Sequence, residues 1–258
     1  MSTFFTLFRK EWLEAWRDKK LIWLPVVLCL LAVSQPISTY FMPEILEMAG
    51  NLPEGAVIEL PVPSGEEVLA GTLSQIGMVG TVIFVLSAMG VVSNERNSGS
   101  LSLLMARPVS PFEYISSKWT AQALIFLISF TLSYGLSYYY TNLLFNEVKF
   151  HLFISSLGVY SLWILFTLSI TLLLGTMMKK NGGIAGMSII IVAGLTVIGS
   201  FFPKFMGWSP SNAQNQAVSI LMTGKWEDSF GLMMFVSIAL IVGLVLLSSF
   251  AFKKYESY

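Results

Sequence analysis

The sequence is short of charge, cysteine and histidine, and each shortage removes a class of function. Only 12% of the 258 residues are charged and 55% are apolar, where soluble domains carry roughly 25% and 45–50%. With a mean hydropathy of +0.72, the chain has too little polar surface to dissolve as a globule. Its one cysteine, Cys29, rules out an intrachain disulfide and a cysteine-based zinc cluster. Lying inside an apolar run, it reads as a small core residue. The one histidine, His151, leaves no histidine pair for a metal and no partner for a proton relay. Acidic and basic residues number 15 each, so no excess basicity points to nucleic acid. A phosphate-binding loop needs glycines leading into Gly-Lys-Ser/Thr, but the one Gly-Lys pair, Gly224-Lys225, runs into Trp226. Neither a catalytic residue nor a metal or cofactor site is expected in this chain.

What is present is hydrocarbon. Six runs, at 21–41, 72–93, 119–143, 153–176, 182–202 and 232–252, are long enough to cross a bilayer and hold no Asp, Glu, Lys or Arg. An all-α polytopic membrane protein with six transmembrane helices in one domain follows. The first run is too long for a cleaved leader, and no small-x-small site follows it. Basic residues then set the orientation. Twelve of the fifteen lie before the first span, in the second and fourth connections and in the tail; Lys149, Lys204 and Lys225 lie on the other side. Both termini are therefore expected in the cytoplasm.

Residues 1–20 carry Phe5, Phe8, Trp12 and Trp16 at spacings of three and four, one face of a helix. Arg9, Lys10, Glu11, Glu14, Arg17 and Asp18 cover much of the remainder, the pattern of an amphipathic helix lying at a membrane interface. The extracellular connection 42–71 has no Lys or Arg but holds Glu44, Glu47, Glu54, Glu59, Glu66 and Glu67, with four prolines that disfavour long regular structure. It is either an acidic vestibule or a loop in which basic residues are scarce. The second such connection, 203–231, suits short surface helices anchored by Trp208 and Trp226, as a lid or a connector.

The cytoplasmic connection 94–118 has the most internal logic. Gly99 can end the second span in a left-handed conformation. Ser100 can cap a short helix over 101–106, with Leu101 and Leu104 on one side, until Pro108 stops it. Ser110-Pro111-Phe112-Glu113 then reads as a capping box with proline at the first helical position. Helix, break, short helix, break, helix makes a stiff elbow, and Leu101, Leu103, Leu104 and Met105 offer apolar grip to a soluble partner.

This stretch also carries a resemblance. Glu95, then Gly99-Ser100-Leu101, Leu104-Met105, Pro108-Val109-Ser110, Glu113 and a closing Lys118 resemble the signature of the type 2 ABC transporter (ABC-2) permeases. The long loop followed by Gln75 resembles their stand-alone bacterial members, encoded beside a separate ATPase. Ser102 and Pro111 depart from the pattern, where the family often has an acidic and a basic residue. The resemblance implies that Glu95, Gly99, Ser100, Leu101, Leu104, Met105, Pro108, Ser110, Glu113 and Lys118 belong to a coupling region docked on an ATPase subunit, on which the N-terminal helix also rests. It implies two ATPase copies holding ATP and magnesium, a second copy of the permease or a paralogue, and export across the plasma membrane. Second and fifth spans line the path in that family, which makes Ser74, Gln75, Gly77, Gly80, Gly186, Gly194 and Gly199 path residues, unless the glycines serve close helix packing.

Two rival readings stand beside this permease. A membrane anchor that sequesters a soluble factor needs no path, and ATP-driven transport in vesicles separates it. An ion-coupled carrier generally places titratable groups at membrane depth, and the apolar runs hold none.

Overall fold

The computed structural model describes residues 3–48, 62–101 and 109–255. Among them the regular elements are helices, and six are long and apolar enough to span a membrane: Lys20–Tyr40, Gly65–Asn97, Pro111–Leu144, Phe150–Met177, Asn181–Phe201 and Phe230–Lys254. The expected all-α, six-span architecture is thus observed. One end of the bundle gathers the N-terminal helix, the end of the sixth span, the described flanks of the second connection and the fourth connection, and is called the basic end below.

The second, third, fourth and sixth spans are longer than their apolar runs, while the first and fifth match theirs in length. The second begins at Gly65, not 72, because Ser64 and Glu67 form a capping box, Ser64 Oγ accepting from the Glu67 amide at 3.2 Å and Glu67 Oε2 from the Ser64 amide at 2.8 Å. Glu66 and Glu67 therefore belong to a helix start and not to a loop; Glu54 and Glu59 lie outside the described residues. Gly65 is required there. Its amide donates to Asn146 Oδ1 at 2.6 Å, and a Cβ would sit 2.5 Å from the Asn146 carbonyl oxygen and 2.8 Å from Val148 Cγ2. A backbone oxygen cannot step aside, so Gly65→Ala should destabilise by about 2 kcal/mol through overpacking, read as a lower unfolding midpoint in detergent with the helix content unchanged.

The second span is not a uniform α-helix. Ile76–Gly80 is a π turn, closed by the Thr81 amide on the Ile76 carbonyl, and beyond it the helix continues through Met89, whose φ of −55° and ψ of −32° are helical. Such bulges insert one residue into the α ladder.

Lipid tails are as apolar as leucine, so spans associate through close packing and hydrogen bonds between helices. The fourth span lies at the centre, against the second, third, fifth and sixth. Phe130, Tyr134, Phe153 and Tyr160 stack there, with ring centroids 5.0–5.6 Å apart in successive pairs. Thr72 bonds Ser137 at 2.9 Å, Tyr134 bonds Ser156 at 2.9 Å, and Trp119 Nε1 donates to Ser169 at 2.9 Å. Cys29 is only half-buried in the first span.

The connection after the fifth span holds a short helix, Pro203–Met206, and a longer one, Asn212–Thr223, capped by Gly224 at φ +67°. The longer helix is no surface lid. Ala213, Gln216, Ala217, Ile220 and Leu221 are buried where it packs into the bundle against the second and fourth spans.

Candidate functional site

At the basic end, sequence-distant charges meet inside the protein. The N-terminal helix, Thr3–Arg17, turns into the first span through Asp18 and Lys19, and Lys19 takes the left-handed φ of 54°. That sharp turn lays the helix against the start of the third span. Leu7, Glu11 and Ala15 face inward, while Phe5 and Trp16 are 66% and 62% exposed. Phe8 and Trp12 stack 6.1 Å apart beside them. The aromatic stripe expected from the spacing is present; of the polar residues, Arg9, Arg17 and Asp18 are exposed, whereas Glu11 lies on the stripe with Leu7 and Ala15 that faces the protein.

Glu11 is 5% exposed, Glu95 5% and Lys118 0%. Lys118 Nζ lies 2.7 Å from Glu11 Oε1 and 2.9 Å from Glu95 Oε1. Lys10 contacts Glu95 and lies 3.1 Å from Glu11 and 3.2 Å from Glu14. Tyr114 donates to Glu95 Oε2 at 2.5 Å, and its ring lies 5.0 Å from Lys118 Nζ. Glu11, Glu14 and Glu95 bring carboxylate oxygens within 4.8 Å of one another, with the ammonium groups of Lys10 and Lys118 set among them, two positive charges against three negative. The cluster therefore ties three elements together: the N-terminal helix, the last turns of the second span and the first turns of the third. Glu11, Glu95 and Lys118, paired and buried in this way, hold the elbow in place.

Around the cluster the elbow has the expected shape. Gly99 is left-handed at φ +72°. Ser110 and Glu113 form the capping box, the Glu113 amide donating to Ser110 Oγ at 3.1 Å, with Pro111 first in the helix. The Ser100 hydroxyl turns back to the Glu95 carbonyl at 3.3 Å, and the segment it was expected to cap lies beyond Leu101, outside the described residues. One detail differs from expectation. Leu101 is 3% exposed, packed with Val92, Tyr114, Ile115, Leu172 and Phe252, and faces the bundle. Leu104, Met105 and Pro108 lie outside the described residues.

Two further connections are not visible in local sequence. Lys20, the first residue of the first span, is 8% exposed and donates at 2.5 Å to the Ser87 carbonyl and at 2.5 Å to Gln122 Oε1. The Ser87 carbonyl belongs to the second span and Gln122 to the third, so Lys20 joins three spans. Lys20 and Lys118 thus correct the expectation that ionisable side chains stay outside the spans: both are drawn into the helix bundle at its basic end. The second span is also clamped to the turn between the fourth and fifth spans. Arg96 donates to the Thr176 carbonyl at 2.9 Å and the Met178 carbonyl at 3.3 Å, a cation on the carbonyls of a helix C-terminus. Asn181 bonds Ser93 and, at 2.8 Å, Asn94, and Asn97 donates to the Lys179 carbonyl at 3.1 Å.

The residues assigned to a path divide. Ser74 and Gly77 line a hollow of about 220 Å³ with Tyr160, Thr196 and Gln214, and Gly199 lines a smaller one beside it with Thr196 and Gln214. Gly77 sits in the π turn, where a Cβ would lie 2.4 Å from Gln214 Oε1. Gln75 instead donates to Ser34 in the first span at 3.1 Å. Gly80 packs on its own turn, against Ile76, while added Cβ atoms at Gly186 and Gly194 would meet nothing within 4 Å. These last two therefore serve no close packing within one chain.

Comparison with known proteins accords with this geometry. Residues 5–216 match the family described as ABC-2 family transporter protein, and the chain belongs to that family. It is a multi-pass membrane protein of the kind that forms the permease part of ABC transporters. It is similar to an uncharacterized transmembrane protein, YxlG, of Bacillus subtilis (strain 168), at 42% identity over 258 residues, all of both chains.

Proposed function

We propose that this chain is the permease of an ATP-driven exporter of the plasma membrane, with both termini and the basic end in the cytoplasm. Two copies, or one copy and a paralogue, pair in the membrane and carry two copies of a separate ABC ATPase, which holds ATP and magnesium. The N-terminal helix lies at the inner membrane surface, its exposed Phe5 and Trp16 at headgroup depth. The ATPase docks on the elbow 94–118, and closure of the ATPases around ATP pushes the elbow and tilts the second and third spans.

The observation that carries this reading is the buried ion cluster of Glu11, Glu95 and Lys118. A force applied to a slack loop is absorbed by the loop; applied to an elbow cross-tied to two spans and the N-terminal helix, it moves the spans. The positive-inside asymmetry supports the orientation, and family membership supports the partner. The test is co-expression with the proposed ABC ATPase partner. The two proteins should purify together in equal numbers, and Leu104→Glu should abolish co-purification while leaving the permease folded. Failure of the wild-type proteins to associate, or indifference to Leu104→Glu, overturns the reading.

A further inference from the structure

The hollow at the π turn has a hydrogen-bonding character that its neighbours do not use up. Ser74 Oγ donates to the Ala70 carbonyl at 3.0 Å, Thr196 Oγ1 to the Val192 carbonyl at 3.1 Å, and Tyr160 Oη to the Leu73 carbonyl at 3.1 Å. Asn215 spends an amide hydrogen on Asn212 at 3.2 Å. Each of these groups has committed a donor inside the protein and keeps an oxygen free to accept. Gln214 is the reverse: its Nε2 is buried and has no hydrogen-bond partner among the described residues. A buried amide left unpaired carries a desolvation penalty that a ligand oxygen would relieve. No residue lining the hollow is charged, so an ion placed there would lose its hydration without a counter-charge, which membrane depth makes expensive.

We propose that this pocket binds the uncharged, hydroxyl- or amide-bearing part of the transported molecule, with Gln214 as the residue that selects for it. The inference rests on the permease reading and adds the chemistry of the cargo: several donors to meet the four oxygens, one acceptor for Gln214 Nε2, and no net charge in the part that is bound. The π turn makes this possible. It sets Gly77 in contact with Gln214, so the amide approaches the second span where any side chain would displace it.

The test uses the purified full-length permease with a reporter thiol at a lining residue that offers no acceptor, Val218→Cys in a Cys29→Ser background, modified by methyl methanethiosulfonate. Three eight-carbon amphiphiles below their micellar concentrations serve as probes: octanoyl-N-methylglucamide, octyl sulfate and octyltrimethylammonium. The uncharged glucamide should slow modification at least fivefold and the two ions should not. Gln214→Leu in the same background should weaken that protection about tenfold, the loss of one buried hydrogen bond, while Ser219→Ala, on the same helix outside the pocket, should leave it intact. Equal protection by an ionic probe, or protection that survives Gln214→Leu, overturns the proposal, as does absence of protection by the glucamide. Because no ATPase is present, protection combined with failure to co-purify with an ATPase would refute only the permease reading. Co-purification with an active ATPase and no protection would refute only this one.

Discussion

Replacing Lys118 with methionine is expected to lower the thermal unfolding midpoint of the purified protein by roughly 6–12 °C, corresponding to about 3 kcal/mol. The reason is asymmetry. A buried ion pair contributes little net stability, but removing one partner leaves the other charged and buried. Lys118 is 0% exposed and meets both Glu11 and Glu95. Lys10 also reaches those carboxylates, but it comes from the exposed side of the N-terminal helix, so it limits the loss without cancelling it. The value therefore falls at the lower end of the range for broken buried pairs. The sign of the interaction can be checked with Glu11→Gln. Added to Lys118→Met, it removes one of the stranded charges and should recover about half of the lost stability, a coupling measurable by a double-mutant cycle. If the double variant is as unstable as the sum of the single changes, the cluster is not a unit.

Leu101→Ala is expected to release the elbow while leaving the bundle assembled. Leu101 is 3% exposed and joins the second span to Tyr114 and Ile115 of the third and to Phe252 near the end of the sixth, whose ring stacks on Tyr114 at 4.6 Å. Truncating a buried leucine leaves a cavity and costs about 3 kcal/mol. That loss should appear locally, as amide hydrogen exchange about 100-fold faster over 109–118, with the centre of the fourth span unchanged. Unaltered exchange in this segment would mean that the small core at the basic end does not hold the elbow.

These two sites differ in how far they could be read in advance. The elbow was legible because its signals are local: a glycine after the second span, a proline at 111, and a serine three residues before Glu113. The same Ser-x-x-Glu signal stands at Ser64–Glu67 and marks the start of the second span, but among six glutamates and four prolines it reads as loop. The aromatic stripe of the N-terminal helix followed from period alone. Its polar stripe did not, because nothing local says whether Glu11 faces water or a lysine 107 residues away. Burial of Lys20 is hidden for the same kind of reason: a lysine at the border of an apolar run has one sequence and two directions in which to point. The buried face of Asn212–Thr223 was obscured by its glutamine and asparagine residues, which serve as interhelical hydrogen-bonding groups as well as surface ones.

The extra residue in the π turn has an effect well away from the pocket. Removing it would restore an unbroken α pitch and turn everything beyond it by about 100° around the helix axis. Glu95 lies some fifteen residues on, about 22 Å along that axis, and after such a turn its carboxylate would point away from Lys118. The phase of the ionic lock at one membrane face is thus set by a single inserted residue near the middle of the bilayer.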